Sequence, residues 1–312
     1  MVRLPQGRKG AASSGGAEWL PSQGPLDYSA WTDQYCPCME LGYLTHVGGL
    51  GSPRDAYRDT VALAVAAEAA GFDSFWVAQH HNSEAQGFLP SPFVLLAAVA
   101  QATQRIRLGV GVVVVPLEDP RRIAEDAAVL DTLSGERVEL GIGAGSDPAA
   151  SALFGHDHER RHAECLDGLD RLRAVLGGVT LVPDAPGLLD RMWWATGSAR
   201  GVDAAAARGM GVLSGRPQGA AEDLERYWAR TASEPRVALS RLIRAGEPAE
   251  EVAARLRADP ALSWASTLVV QTQPTRTDLA THRRTLAVAL EARARYRDGV
   301  AAPRVGWAGW GG

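Results

Sequence analysis

The feature that most restricts how this chain folds is a repeated alternation. Apolar runs of strand length recur eight times, at residues 39–45, 74–78, 105–115, 137–142, 192–195, 211–213, 236–243 and 267–270. Helical stretches follow them, at about 54–70, 92–103, 120–133, 159–176, 199–208, 220–230, 248–257 and 277–296. Several helices carry start signals. Ser52-Pro53, Ser91-Pro92 and Asp119-Pro120 each place a capping residue before a proline at the first helical position. Ser134-Gly135 is a stop. The β-branched run at 105–115 has no polar alternation, so both of its faces are expected to be covered. Alternating strands and helices predict an α/β protein with a parallel sheet. The count of eight and the lack of a second domain favour a closed (β/α)8 TIM-type barrel over a doubly wound open sheet.

Composition bounds the partners. A net charge of −4 argues against nucleic acid or an anionic membrane as the main partner, and no apolar run is long enough to cross a bilayer. Cys36, Cys38 and Cys165 make no disulfide framework, which fits a reduced, cytoplasmic protein. Residues 1–37 are rich in Gly, Ser, Pro and Gln without periodicity and read as a disordered extension. Met39, just before the first strand, is an alternative start of translation. The barrel is expected over 38–298, and 299–312 reads as a loose, Gly- and Trp-rich tail.

In a barrel of this kind the chemistry sits just after the strands. Those positions hold His46, Gln79-His80-His81-Asn82, Gly143 to Asp147, Thr196-Gly197-Ser198, Ser214-Gly215-Arg216, Arg244 and Gln271. Carboxylates are sparse, which weakens a glycosidase or a magnesium-enolate reading. Adjacent histidines on a strand point to opposite faces, so His80 and His81 do not share a zinc ion, and no metal is expected. His80 is the candidate for proton chemistry, while His81 reads as a supporting hydrogen-bonder or a packed imidazole. The glycines at 141, 143 and 145 lack the spacing of a dinucleotide fingerprint but permit a flat group to approach the backbone. Thr196-Gly197-Ser198 before a helix is a phosphate-sized anion site or an ordinary cap.

These residues, taken in order, carry a resemblance. Phe75-Trp76-Val77-Ala78-Gln79-His80-His81, Leu89-Pro90-Ser91-Pro92, Ile106-Arg107-Leu108-Gly109 through Pro120, Leu130 to Arg137, Trp194 to Ser198 and Leu213-Ser214 are similar to the bacterial luciferase-like flavin monooxygenase superfamily. The similarity runs from Met39 to about Arg297 and is nearer to FMN-dependent luciferase-like monooxygenases than to bacterial luciferase. It implies a barrel that binds reduced FMN at the carboxyl ends of its strands, often as a homodimer, with FMNH2 supplied by a separate flavin reductase. It also implies that O2 adds to the flavin as a hydroperoxide, which oxygenates a small organic substrate. His80 matches the histidine implicated in catalysis, with His46 contributing from the first strand, and His81 matches its neighbour. Gln79 stands where the family has Glu, and Gln79 and His81 are expected to lie against the cofactor. Gly111-Val112 matches a frequent non-proline cis peptide behind the flavin ring, and Gly143 and Ala144 lie beside the cofactor. Ala144 replaces an arginine that meets the flavin phosphate, so Arg160 or Arg161 is expected to supply the charge, with Gly197 and Ser198. Gly201 stands where luciferase has threonine. Only about residues 215–235 stand where luciferase has a long mobile insertion, which implies weaker shielding from water. Two alternatives remain: a deazaflavin-dependent oxidoreductase on the same barrel, and a catalytically decayed flavin-binding protein.

Overall fold

The computed structural model describes residues 39–81, 86–216 and 219–299. The expected extension at 1–37, Cys36, Cys38, Asn82 and the tail beyond 299 lie outside these residues.

Eight parallel strands close into a barrel in chain order, with β8 returning to pair with β1. They are β1 (Glu40–Thr45), β2 (Ser74–Val77), β3 (Arg107–Val114), β4 (Val138–Gly143), β5 (Met192–Ala195), β6 (Gly211–Ser214), β7 (Val237–Arg244) and β8 (Thr267–Gln273). Closure excludes the open doubly wound sheet. The helices are α1 (Pro53–Ala69), α2 (Pro92–Ala102), α3 (Pro120–Ser134), a short α4 (Pro148–Leu153), α5 (Arg161–Leu176), α6 (Ala199–Ala206), α7 (Ala220–Arg230), α8 (Ala249–Arg257) and α9 (Leu279–Gly299).

Local chemistry explains the starts and stops. Ser52 and Asp55 form a capping box on α1. Asp119 accepts from the N–H groups of Arg121 and Arg122 at the head of α3, and Gly135 ends that helix at φ 70°. Two expectations are revised. The segment after β4, read as an uninterrupted loop, contains α4, capped by Asp147 ahead of Pro148. The last strand continues past Val270 through Gln271, Thr272 and Gln273. These polar residues stay in the strand because their side chains find partners. Thr272 bonds the buried Tyr43 hydroxyl, which also bonds His282 Nδ1 at 2.7 Å.

Strand alternation separates two cores. Outward side chains join the helices in the main core. Inward, Leu44, Trp76, Ala78, Trp193, Leu213, Ala238 and Val269 fill the barrel, with Val112 and Ala195 packed against them. At the amino-terminal end, Glu139 ion-pairs with Arg107 and accepts from Trp193 Nε1 at 2.6 Å. The Arg236 guanidinium lies 4.8 Å above the Trp193 ring. These contacts plug that end and leave the carboxyl end as the open face.

The stretch from Leu130 to Arg137 proves to be scaffold. Asp131 holds Arg191 through two contacts of 2.6 and 2.9 Å and accepts from the Val138 N–H. Arg137 is buried and donates to the carbonyls of Ala100, Thr103, Ile106 and Ser134. Together they tie α2, α3 and the start of β4.

Candidate active site at the carboxyl rim

His46 follows β1 directly, and His80 stands beyond the end of β2. Their rings meet edge to edge, with His46 Nδ1 2.7 Å from His80 Nε2 and an interplanar angle of 25°. His46 Nε2 lies 3.0 Å from Gln271 Oε1, and the Gln271 amide donates onward to Ser240 Oγ. This order of donors fixes the tautomers. Gln271 Oε1 only accepts, so His46 carries its proton on Nε2 and accepts at Nδ1. His80 therefore donates from Nε2 to His46, and the Gln86 side chain also hydrogen-bonds its ring.

Burial pushes the His80 pKa down to about 4, helped by the neighbouring charge of His46 and opposed by the side chain of Gln86 and the charge of Asp147. Burial also lowers the pKa of His46, against the hydrogen bond from Gln271. Both imidazoles are neutral at neutral pH. Chain passing over the pair requires Gly87, which sits at φ 153°. A Cβ there would lie 1.9 Å from the His46 carbonyl oxygen and 3.0 Å from His80 Cδ2.

Gln79 faces away from this rim. It is 5% exposed, and its amide donates to Pro90 O at 3.0 Å and to Glu118 Oε1 at 2.8 Å. Its oxygen accepts from the Val114 N–H at 2.8 Å. All of these bonds stay within the protein, so Gln79 braces β3 and is not placed to touch a cofactor, which corrects the expectation for it. What it braces is a bulge. The β3–β4 register shifts between Val110 and Val113, and the Gly111-Val112 peptide is cis.

The bulge turns Val112 across β4. A Cβ on Gly143 would come within 2.9 Å of Val112 Cγ2 and 3.6 Å of the Ala195 methyl. A Cβ on Gly111 would come within 3.0 Å of Leu44 Cδ1. The result is a low apolar floor of glycine backbone, Val112 and Ala195 at the carboxyl ends of β3, β4 and β5, on the same rim whose β1 and β2 ends carry the His46–His80 pair. His81 packs its ring edge-on to Phe154 at 4.7 Å, and its Nε2 is buried with no partner among the described residues. Burial lowers its pKa, against the charge of Glu118.

A second cluster surrounds the start of α6. Ser198 Oγ caps the Gly201 N–H at 3.3 Å, and Thr196 Oγ1 accepts from the Ser198 N–H at 3.2 Å. A Cβ at Gly201 would fall 1.9 Å from Thr196 Oγ1, so that hydroxyl fills the space a side chain would need. Burial lowers the pKa of His162, and so do the charges of Arg161, His158 and Arg200, against the charge of Glu159, so four basic groups and one carboxylate act on one another there. Arg161 also donates to His158 O at 2.8 Å. Arg160 is not part of the cluster; it is exposed and sits 3.7 Å from Glu164. Ala144 packs against the main core and brings no charge. Arg216 donates to Gly197 O at 2.8 Å and to Asp223 at 2.7 Å, pinning the loop before α6.

Arg200, Gly87 and Ser240 were not singled out as site residues from sequence. Arg216 and Gln271 were among the candidate positions at strand ends, with Gln271 lying within β8, but nothing in the sequence gave their partners. Gly87 has no pattern around it. An apolar, glycine-lined floor, two neutral imidazoles and a distant basic cluster at a helix start fit a flat ring system with a phosphate tail.

Comparison with known proteins agrees with the barrel fold. The family model described as luciferase-like monooxygenase matches residues 39–306. Over 117 residues the chain is 42% identical to 4-hydroxyprotoasukamycin monooxygenase of Streptomyces nodosus subsp. asukaensis, covering 36% of this chain and 31% of that protein. The match thus spans about a third of that relative. Among solved structures, the monooxygenase RslO1 from Streptomyces bottropensis superposes with a TM-score of 0.69 at 19% identity, covering 81% of this chain and 98% of the other. An F420-dependent secondary alcohol dehydrogenase superposes with a TM-score of 0.62 at 15% identity, covering 81% and 99%.

Proposed function

The chain belongs to the luciferase-like monooxygenase family, and from that premise we propose that it is a reduced-FMN-dependent monooxygenase acting on a small organic substrate. In this reading FMNH2 comes from a separate flavin reductase, and the reaction takes place in the cytoplasm. The observation that carries the reading is the neutral His80–His46 pair on the same barrel rim as an apolar, glycine-lined floor.

Reduced FMN, when bound, supplies the electrons that let one oxygen atom of O2 enter the substrate while the other leaves as water. The chain supplies the rest. Val112, Ala195, Gly143 and the bulge at Gly111 offer the ring a dry surface. Arg161, Arg200, Gly197 and Ser198 hold the phosphate at the start of α6. His80, neutral and hydrogen-bonded by Gln86, accepts or returns a proton at the reacting edge. His46 keeps His80 in its Nε2-protonated tautomer, and Gln271 keeps His46 in its own. The basic cluster offsets the lack of charge at Ala144 and speaks against a decayed site. A homodimer belongs to the same reading.

The test is stopped-flow mixing of protein-bound FMNH2 with air-saturated buffer. Wild type is expected to slow flavin reoxidation relative to free FMNH2, and His80→Ala to lose that effect while still binding FMNH2. Equal rates for wild type, His80→Ala and free FMNH2 refute the role of His80. A second reading, deazaflavin-dependent hydride transfer at the same rim, is favoured by the shared fold of the F420-dependent alcohol dehydrogenase. Parallel titrations with FMNH2 and reduced deazaflavin distinguish the two.

A further inference from the structure

A cavity of about 730 Å3 lies beside β7, between the start of α7 and the turn after α8. That volume suits a small organic molecule. Much of its wall is apolar, from Ala220, Leu242, Ala258 and Pro260, and its charged lining holds three arginines, Arg241, Arg244 and Arg255, against Asp259.

The pairing of these charges leaves a surplus. Arg255 donates to Glu247 at 2.9 Å and to Leu242 O at 2.9 Å. Arg244 reaches the same Glu247 only at 3.9 Å, with its side chain 77% exposed. Arg241 donates from Nε to Asp259 Oδ2 at 2.6 Å and from Nη1 to Ser240 O at 2.8 Å. The other oxygen of Asp259 takes the Ala261 N–H at 3.0 Å. Three guanidinium groups thus face two carboxylates that are already engaged. Arg241 is 7% exposed, and its Nη2 is buried without a partner among the described residues. A guanidinium nitrogen held in this way is a prepared donor for an oxyanion.

We infer that this cavity binds a small organic acid. Its carboxylate pairs with Arg241 Nη2 and the swinging Arg244, and its apolar body lies along Ala220, Leu242 and Pro260. An organic acid is favoured over a bare inorganic anion because most of the wall is apolar. The site does not depend on the flavin reading. It borders the rim through Gly215, Arg244 and Gln273, at the ends of β6, β7 and β8, and through Ser240, which accepts from Gln271.

Isothermal titration of the full chain, free of flavin and at low salt, tests the inference with octanoate, octan-1-ol and inorganic phosphate as probes. Octanoate is expected to bind once per chain, and octanol and phosphate about tenfold more weakly or not at all. Arg241→Lys keeps a charge beside Asp259 but loses the fork, and is expected to weaken octanoate about tenfold with an unchanged melting temperature. If Arg241→Lys does not fold, Leu242→Asp decides, because that side chain is 45% exposed and its replacement sets a negative charge on the wall. It is expected to weaken octanoate and spare octanol. Equal binding of octanoate and octanol, phosphate binding as tight as octanoate, or octanoate binding untouched by Leu242→Asp each overturns the inference.

Discussion

Gln79→Glu restores the residue that the family resemblance leads one to expect, and the structure predicts that this chain will not tolerate it well. Gln79 Nε2 donates to Glu118 Oε1 at 2.8 Å and to Pro90 O at 3.0 Å. A glutamate offers no donors there. Two unit charges 2.8 Å apart repel by about 6 kcal/mol at an effective dielectric constant of about 20. Holding a proton on the pair instead costs about 1.4 kcal/mol for each pH step above the ordinary glutamate pKa of about 4.3. At neutral pH that is roughly 3–4 kcal/mol, so the folded pair keeps a proton. The folded pKa is raised, so the penalty is absent below the unfolded pKa and grows as pH rises toward the folded one. Around pH 4.5 only the lost bond to Pro90 remains, about 1 kcal/mol. For a domain of this size the loss corresponds to a drop in Tm of about 8–12 °C at neutral pH and about 2 °C near pH 4.5. Thermal unfolding of wild type and variant at both pH values measures it. A drop that is equal at both, or larger in acid, contradicts the reasoning.

Three further outcomes follow from particular contacts. Gly87→Ala places a methyl 1.9 Å from the His46 carbonyl, so the chain there must move off the His46–His80 pair, and FMNH2 affinity measured by titration is expected to fall at least about tenfold. His80 and His282 are both held near pKa 4, chiefly by burial, against 6.5 in a free chain. The unfolded chain takes up protons first, so stability present above pH 6.5 is lost as pH falls toward 4, at about 3 kcal/mol for each histidine. Urea unfolding across that range checks this, and His282→Gln is expected to flatten the curve. Arg191→Met leaves Asp131 buried without its partner, at a cost of about 3–5 kcal/mol in urea unfolding. Flavin affinity is expected to stay unchanged, because that pair sits at the amino-terminal end of β4.

Much of the fold was legible in the sequence because its signals are local. Ser52-Pro53 and Asp119-Pro120 start helices where their capping chemistry says they should, and Gly135 stops one. The same Asp-Pro signal at Asp147-Pro148 announced α4, but a helix of six residues leaves no periodicity to read. β8 outran its apolar run because Gln271 and Thr272 are satisfied by His46 and Tyr43, some 225 and 229 residues away in sequence. The site was legible as a set of positions and not as contacts. Strand alternation argued against His80 and His81 sharing a metal, but β2 ends at Val77, so alternation could not say where Gln79 points. The basic cluster of Arg161, His162 and Arg200 joins two helices, and no spacing within one segment reveals it.

The central claim, that the His80 rim is a reduced-flavin site, is tested most directly by anaerobic titration of the chain with FMNH2, followed by titration of Arg200→Ala and Val112→Asp. Saturable binding of one FMNH2 per chain, weakened by loss of charge at the start of α6 and by a charge set on the floor, is the predicted result. No saturable binding, or binding that neither substitution alters, contradicts the account.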